Sequence, residues 1–290
     1  MKIIKISKIK NLLQKLIERA NFNLPDDIWE ALSDALACEK NETARKILKL
    51  IIENARIAAE ERIPLCQDCG TVYVEILIGK NTYIENFNEI ENAINETVAE
   101  VYSESYLRKS MVGDPLFDRK NTFTNTPAII SFGKIKDDVE GAEIKVSLKG
   151  AGSDNCSYLY MMSPSSTPQD ITAIVKDLVI KNATKSCPPL IIGIGIGSSA
   201  SNVTELAKKA AFRETNVCNS DERYRNLEKM ILREVNCTGI GPAGLGGNTT
   251  ALAVNIEYAP THMAEMPLAV FFLCHSARRA SAKISFPSTS

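Results

Sequence analysis

The stretch "LIIGIGIG", residues 190–197, contains nothing but leucine, isoleucine and glycine. It is far shorter than the roughly 20 residues of a membrane span and offers no polar face to water, so it is predicted to be a buried strand. Prolines precede it and "SSAS" follows, the punctuation expected at strand ends. A buried strand needs cover, and the neighbouring sequence supplies it. "TPQDITAIVKDLVIKNA" before it reads as a helix, as do "SASNVTELAKKAAF" and "ERYRNLEKMILREVN" after it. "ALAVNIEYA" and "MPLAVFFLC" read as two further strands. This alternation predicts a mixed α/β fold.

Upstream, residues 1–62 are predicted to be helix-rich: Ile47, Leu50, Ile51, Ile57 and Ala58 recur at helical spacing before Pro64. "TVYVEILIG" is β-rich, Ile90, Ile94, Val98 and Val101 mark a second long helix, and "PAIISF", "EIKVSL" and "SYLYMM" read as strands. The expected architecture is a helical N-terminal third followed by mixed β-sheets flanked by helices. With no repeat and no linker, a single domain over 1–290 is expected, helix-rich over 1–62 and mixed α/β over 63–290. The tail "SFPSTS" is expected to fray or to meet a partner.

Charge excludes several partners. Lys and Arg number 34 against 35 Asp and Glu, so no net field points to nucleic acid or an anionic membrane. The basic start "MKIIKISKIKNLLQKLIERANF" lacks a signal-peptide core and reads as an amphipathic helix, and a cytoplasmic location follows. Eight cysteines in such a chain are not a disulfide framework. Cys38, Cys218 and Cys237 fall in or beside helices and are expected to be buried structural thiols. Cys66, Cys187 and Cys274 fall at element ends, where a thiolate can face a cleft. Their wide separations match no zinc knuckle, and three isolated thiolates would suit an iron–sulfur cubane with one iron open.

Other motifs carry rival readings. Cys66-Gln67-Asp68-Cys69 is formally a CxxC, which allows a zinc or thiol-redox role. Gly193-x-Gly195 between strand and helix resembles the start of a dinucleotide fingerprint, but no strand with an acidic end follows it at the required distance. Close strand–helix packing explains these glycines equally well. "SLKGAGSDNCSYL" and "GIGPAGLGGNTTALAV" are glycine-rich turns whose N–H groups could approach an anion, or ordinary connections. His262, in a loop between two strands, is an acid/base or carboxylate-binding candidate.

Together, "PLCQDCGT", "KGAGSDN", "KSCPPLIIGIGIG", "GIGPAGLGGNTTALAV" and "THMAEMP…FFLCHSARRA" resemble the class I fumarate hydratases and the related L-tartrate dehydratases, in order and over nearly the whole chain. The resemblance implies an α subunit, equivalent to the N-terminal domain of single-chain members. It implies a 4Fe–4S cluster held by Cys66, Cys187 and Cys274, with the fourth iron open to a small dicarboxylate. Asp68 and His262 become the catalytic candidates. Gln67, Arg108 and the "KGAGSDN" turn, with Gly152, Asn155 and Ser157, become the substrate-binding ones. A separate β subunit is implied to complete the site in a hetero-oligomer and to carry the proton-transferring residue. Fumarate–(S)-malate interconversion is the expected reaction, with tartrate dehydration as the alternative and a nucleotide-binding module on "GIGIGS" as the distant one.

Two positions depart from the family pattern. Cys69 stands where "CQDTG" has threonine, and Cys156 follows a turn where a non-cysteine residue is expected. Both are expected to be bystanders.

Overall fold

A computed structural model of the chain describes residues 2–135 and 139–286. In chain order its elements are β1 (Lys2–Ile4), α1 (Ile6–Phe22), α2 (Asp26–Cys38), α3 (Glu42–Glu61), β2 (Thr71–Ile78), β3 (Thr82–Ile84) and α4 (Ile90–Glu104). Next come β4 (Ile129–Lys134), β5 (Ala142–Lys149), the single turn α5 (Ala151–Asp154), β6 (Tyr158–Met162), α6 (Pro168–Asn182) and β7 (Leu190–Gly197). The last are α7 (Val203–Phe212), α8 (Glu222–Asn236), β8 (Ala251–Ala259), β9 (Met266–Leu273) and β10 (Arg279–Ile284). The fold is mixed α/β, with a helical first third as the periodicity implied. No helix among the described residues is long and apolar enough to cross a membrane. The tail beyond Phe286, expected to fray or meet a partner, lies outside the described residues.

Two compact units stand where the sequence suggested one domain. Unit 1 comprises Met1–Pro25, Ile57–Gly150 and Arg278–Ser290; unit 2 comprises Asp26–Arg56 and Ala151–Ala277. The chain passes between them four times: at Pro25–Asp26 ahead of α2, inside α3, directly between β5 and α5, and at Ala277–Arg278 ahead of β10.

Unit 1 is built on a four-stranded sheet in the order β10-β5-β2-β4. Its central strand β2 runs antiparallel to β5, with Val74 opposite Val146, and parallel to β4, with Val74 opposite Ile130. Val72, Val74 and Ile76 alternate inward while Tyr73 and Glu75 stay half-buried, so one face of the sheet is dry. The amphipathic α1 covers it with Leu13, Leu16 and Ile17, joined by Ile94, Val98 and Val101 of α4. β10 carries little strand signal, because "RASAKI" has small residues where a strand usually shows bulky ones.

Unit 2 has the sheet order β6-β9-β7-β8, with β7 parallel to β8 and antiparallel to β9. All eight residues of β7 are buried. Ile192, Ile194 and Ile196 pack with Val175 and Val179 of α6 and Ile231 and Val235 of α8. The alternate positions are Gly193 and Gly195, and α7 lies against them. α6 opens on a capping box in which Thr167 and Asp170 exchange hydrogen bonds.

The glycine-rich loop ahead of β8 does hold an anion, one of the chain's own. Glu39, 3% exposed, accepts the backbone N–H of Lys40 at 2.9 Å, Asn41 at 3.0 Å and Asn248 at 2.7 Å. Gly247, at φ +127°, comes so close that a Cβ there would sit 3.0 Å from the Glu39 carboxylate and 2.5 Å from the Ala44 Cβ. Burial pushes the Glu39 pKa up, but these N–H donors, with that of Thr249, outweigh it and hold the group below its ordinary 4.5. Its stabilisation is therefore complete above the ordinary carboxylate range and is lost as pH falls through the lower folded value. Glu39→Ala is expected to cost about 3 kcal/mol and to flatten that acid limb, read from thermal melts between pH 3 and pH 7.

Candidate active site

The loop Ile63–Gly70 of unit 1 carries the first candidates, and its backbone is held tightly. Leu65 N–H bonds Asn21 O at 2.9 Å. Tyr102, fully buried, donates to Cys69 O at 2.9 Å, and Asn125 Nδ2 donates to Gly70 O at 3.1 Å. Gly70, at φ +77°, runs so close to β5 that a Cβ would sit 2.8 Å from Lys149 O. Asp68 Oδ1 accepts the Gly70 N–H at 3.0 Å, fixing one carboxylate oxygen. Cys66 Sγ lies 3.4 Å from Gln67 Oε1, and Cys66 is only partly covered.

The two cysteines of the CxxC are unequal. Cys69 is 1% exposed and its Sγ accepts the Arg108 N–H at 3.1 Å. Burial pushes its pKa up, offset in part by that N–H and by the Arg278 charge. It packs in the unit 1 core with Val72 and Tyr102, and burial pushes the Tyr102 hydroxyl up in the same way. The hydrogen bond ties Arg108, whose side chain is exposed, to the Cys66 loop. Unit 1 thus gathers Cys66, Gln67, Asp68 and Arg108.

Unit 2 gathers the other group at one end of its sheet. Cys187 follows α6 in a left-handed conformation, φ 53°, unusual for a residue with a Cβ. Its carbonyl accepts the His275 N–H at 3.3 Å, and His275 Nδ1 lies 3.1 Å from the same oxygen, which makes Nδ1 the protonated ring nitrogen. That carbonyl joins the Cys187 loop to the turn Cys274–Ala277, closed by Ala277 N–H on Cys274 O. Cys274 Sγ is 3.0 Å from Ser276 Oγ. α5 packs against β9 and the turn before Cys187, and a Cβ on Gly152 would lie 2.8 Å from Lys185 O. Cys156, 1% exposed, directs Sγ at Gly152 O and Asn182 O, 3.4 and 3.9 Å away. Gly152 and Asn155 stay exposed beside it, with Ser157 half-buried.

His262 is elsewhere in unit 2. β9 runs from Met266 to Leu273, so His262 precedes the strand and Cys274 ends it. Eight residues at about 3.3 Å each keep them apart. The His262 loop is fixed to the opposite end of β7, where Thr261 Oγ1 donates to Ser198 O at 2.8 Å. The burial expected for Cys38, Cys218 and Cys237 is overturned: all three are exposed. They sit at helix ends and in a connection, where the chain meets water; the buried thiols are Cys69 and Cys156.

Among the described residues no three His, Cys, Asp or Glu side chains converge as ligands of one metal ion. Two buried polar groups went unnoticed in the sequence. Ser186, directly before Cys187, buries its Oγ without a hydrogen-bond partner. Arg278, four residues past Cys274 and 1% exposed, buries Nε and Nη1 unpartnered. Nothing in "ARRA" told which arginine turns inward; the register that pairs Arg279 with Ser147 does.

Comparison with known proteins adds an independent line. A putative L(+)-tartrate dehydratase subunit alpha of Methanocaldococcus jannaschii is 39% identical over 280 residues, spanning 96% of this chain and 98% of that protein. The L(+)-tartrate dehydratase subunit alpha of Escherichia coli is 26% identical over 278 residues, spanning 95% of this chain and 90% of that protein. The family model described as fumarate hydratase (Fumerase) matches residues 10–283. With every quoted motif inside that match, the chain belongs to the fumarate hydratase (Fumerase) family of hydro-lyases.

Proposed function

We propose that this chain is the α subunit of an iron–sulfur hydro-lyase that interconverts fumarate and (S)-malate, with Cys66, Cys187 and Cys274 as the ligands of a 4Fe–4S cluster. The observation that carries the reading is the family match along almost the whole chain, within which these three cysteines are neither buried nor in disulfides. The buried Ser186 Oγ beside Cys187 fits the neighbourhood of an anionic group, since it has no acceptor of its own. Three thiolates of a cubane each take a different iron, so they need not crowd around a single point. When bound, such a cluster supplies an open iron that acts as a Lewis acid on a hydroxyl and a carboxylate.

The chain's own residues then divide the remaining work. Arg108 presents a guanidinium fork suited to one substrate carboxylate. Gln67 and the Gly152–Ser157 turn offer polar groups to orient the rest, and Asp68 holds or exchanges a proton at Oδ2. A substrate with two carboxylates needs more cations than Arg108, and the relatives' printed names, subunit alpha, support a β partner. His262, at the far end of β9 from Cys274, falls outside the site built from its own chain. Eight free cysteines suit a reducing, cytoplasmic setting.

The names of the relatives favour a second reading, dehydration of L(+)-tartrate. Coexpression with a β subunit, anaerobic purification and assay on malate, fumarate and tartrate decides between them. The expected result is a kcat/KM at least tenfold higher on malate than on tartrate; the reverse preference overturns the fumarate reading.

A further inference from the structure

We propose that Asn125 is a positioning residue for Arg108: its buried carboxamide ties the segment that carries the arginine to the loop that carries Cys66, Gln67 and Asp68. The proposal rests on the reading of Arg108 as a carboxylate-binding residue of the hydro-lyase site. A guanidinium fork meets a carboxylate through two parallel hydrogen bonds, so it works best from a fixed place. Arg108 lies in residues 107–110, which are neither helix nor strand. No regular ladder holds that backbone, and its polar groups have to be met one at a time.

Unit 1 meets them mostly with side chains. The Leu107 N–H bonds Tyr102 O at 3.0 Å. The Arg108 N–H bonds Cys69 Sγ at 3.1 Å, and Lys109 O accepts from Asn121 Nδ2 at 2.8 Å. The Ser110 N–H bonds Asn125 Oδ1 at 2.8 Å, while Asn125 Nδ2 donates to Gly70 O at 3.1 Å. One planar group thus spans the two segments. Its orientation is unambiguous, because a backbone N–H can only donate and a carbonyl can only accept. Asn125 is 1% exposed, so water does not compete for either bond. It sits at φ +60°, a left-handed conformation that asparagine adopts more readily than most residues with a Cβ. Sulfur is a weak acceptor, so the carboxamide is a stronger tie than the Cys69 thiol. Arg108 itself is exposed, with its backbone held and its side chain turned to the solvent side.

The test uses the complete α–β enzyme and the better substrate of malate and tartrate, with iron content and melting temperature measured beside steady-state kinetics. Arg108→Ala is expected to raise KM about 100-fold. Asn125→Gly keeps the left-handed backbone and deletes both bonds. It is expected to raise KM about tenfold, with kcat within about threefold and iron content unchanged. In the Arg108→Ala background the same substitution is expected to move KM less than about twofold, because no guanidinium remains to be misplaced. Asn125→Asp keeps an acceptor for the Ser110 N–H but sets an oxygen against Gly70 O, and is expected to raise KM at least about threefold. Asn125→Gly at wild-type KM overturns the proposal. So does a tenfold rise in both backgrounds, which shows that Asn125 acts on something other than Arg108. Lower kcat with lost iron or a lower melting temperature, at unchanged KM, marks a purely structural asparagine and also overturns it. If Asn125→Gly fails to fold, Asn125→Asp decides, and wild-type KM there is the overturning result. Arg108→Ala at wild-type KM defeats the reading of Arg108 and the proposal with it. A raised KM in Arg108→Ala beside wild-type KM in Asn125→Gly defeats the proposal alone.

Discussion

Alanine at any one of Cys66, Cys187 or Cys274 is expected to strip iron and sulfide from the anaerobically purified enzyme and to lower turnover by about 10⁴-fold or more. Alanine at Cys69 is expected to leave both within about threefold. The contrast follows from where the four thiols lie. Cys66 and Cys274 are partly covered and Cys187 is exposed, each at the end of an element with its backbone pinned. On the proposed reading each of the three thiolates would hold a different iron, so none of them would be redundant. Cys69 is a core residue whose Sγ already accepts the Arg108 N–H at 3.1 Å. It does there what a threonine hydroxyl does, so Cys69→Thr should retain stability better than Cys69→Ala, which leaves that N–H unpaired. The measurements are iron and sulfide per chain, with about four irons expected, and the visible spectrum. Retention of iron in Cys187→Ala with loss in Cys69→Ala would return the CxxC reading to first place.

Much of the fold was legible because burial writes itself into period. "TVYVEILI" alternates and forms a sheet open on one face; "LIIGIGIG" does not alternate and is covered on both. What the sequence hid was assembly from discontinuous pieces. Unit 2 takes Asp26–Arg56 from inside the helical first third, and helical periodicity is the same whichever unit a helix joins. β10 was hidden for a different reason, since Ala280 and Ala282 carry little strand signal and acquire meaning only opposite Val146 and Ile144.

The candidate site was legible where chemistry shows in residue type and illegible where it depends on direction. Cysteines at element ends could be picked out from local context. The inward turn of Arg278, the bond from Arg108 N–H to Cys69, and the separation of His262 from Cys274 all depend on tertiary register. The glycine-rich stretch "GIGPAGLGGNTTALAV" reads equally as a turn that approaches an anion and as an ordinary connection; that its Asn248 N–H meets Glu39, some 200 residues upstream, lies beyond local pattern.

Alanine at Gly193 or Gly195 is expected to destabilise the chain by about 4 kcal/mol or more, lowering its melting temperature by about 10 °C or preventing soluble expression. Neither glycine has a backbone conformation that demands glycine; the constraint is space. A Cβ on Gly193 would lie 2.2 Å from Ala211 N and 2.3 Å from Ala207 O, and one on Gly195 2.3 Å from Val203 O and 2.7 Å from Ala207 N. All of these are backbone atoms of α7, which have no rotamer to change, so the helix must lift off the strand. Gly239 is the control: its φ is +67°, but a Cβ there meets nothing within 4 Å. Gly239→Ala should therefore cost only about 1 kcal/mol of backbone strain. A nucleotide-binding turn predicts another ordering, in which Gly195→Ala keeps its stability and loses a ligand. A Gly193→Ala chain that melts with the wild type would show that α7 has room to move, and would reopen the nucleotide reading of "GIGIGS".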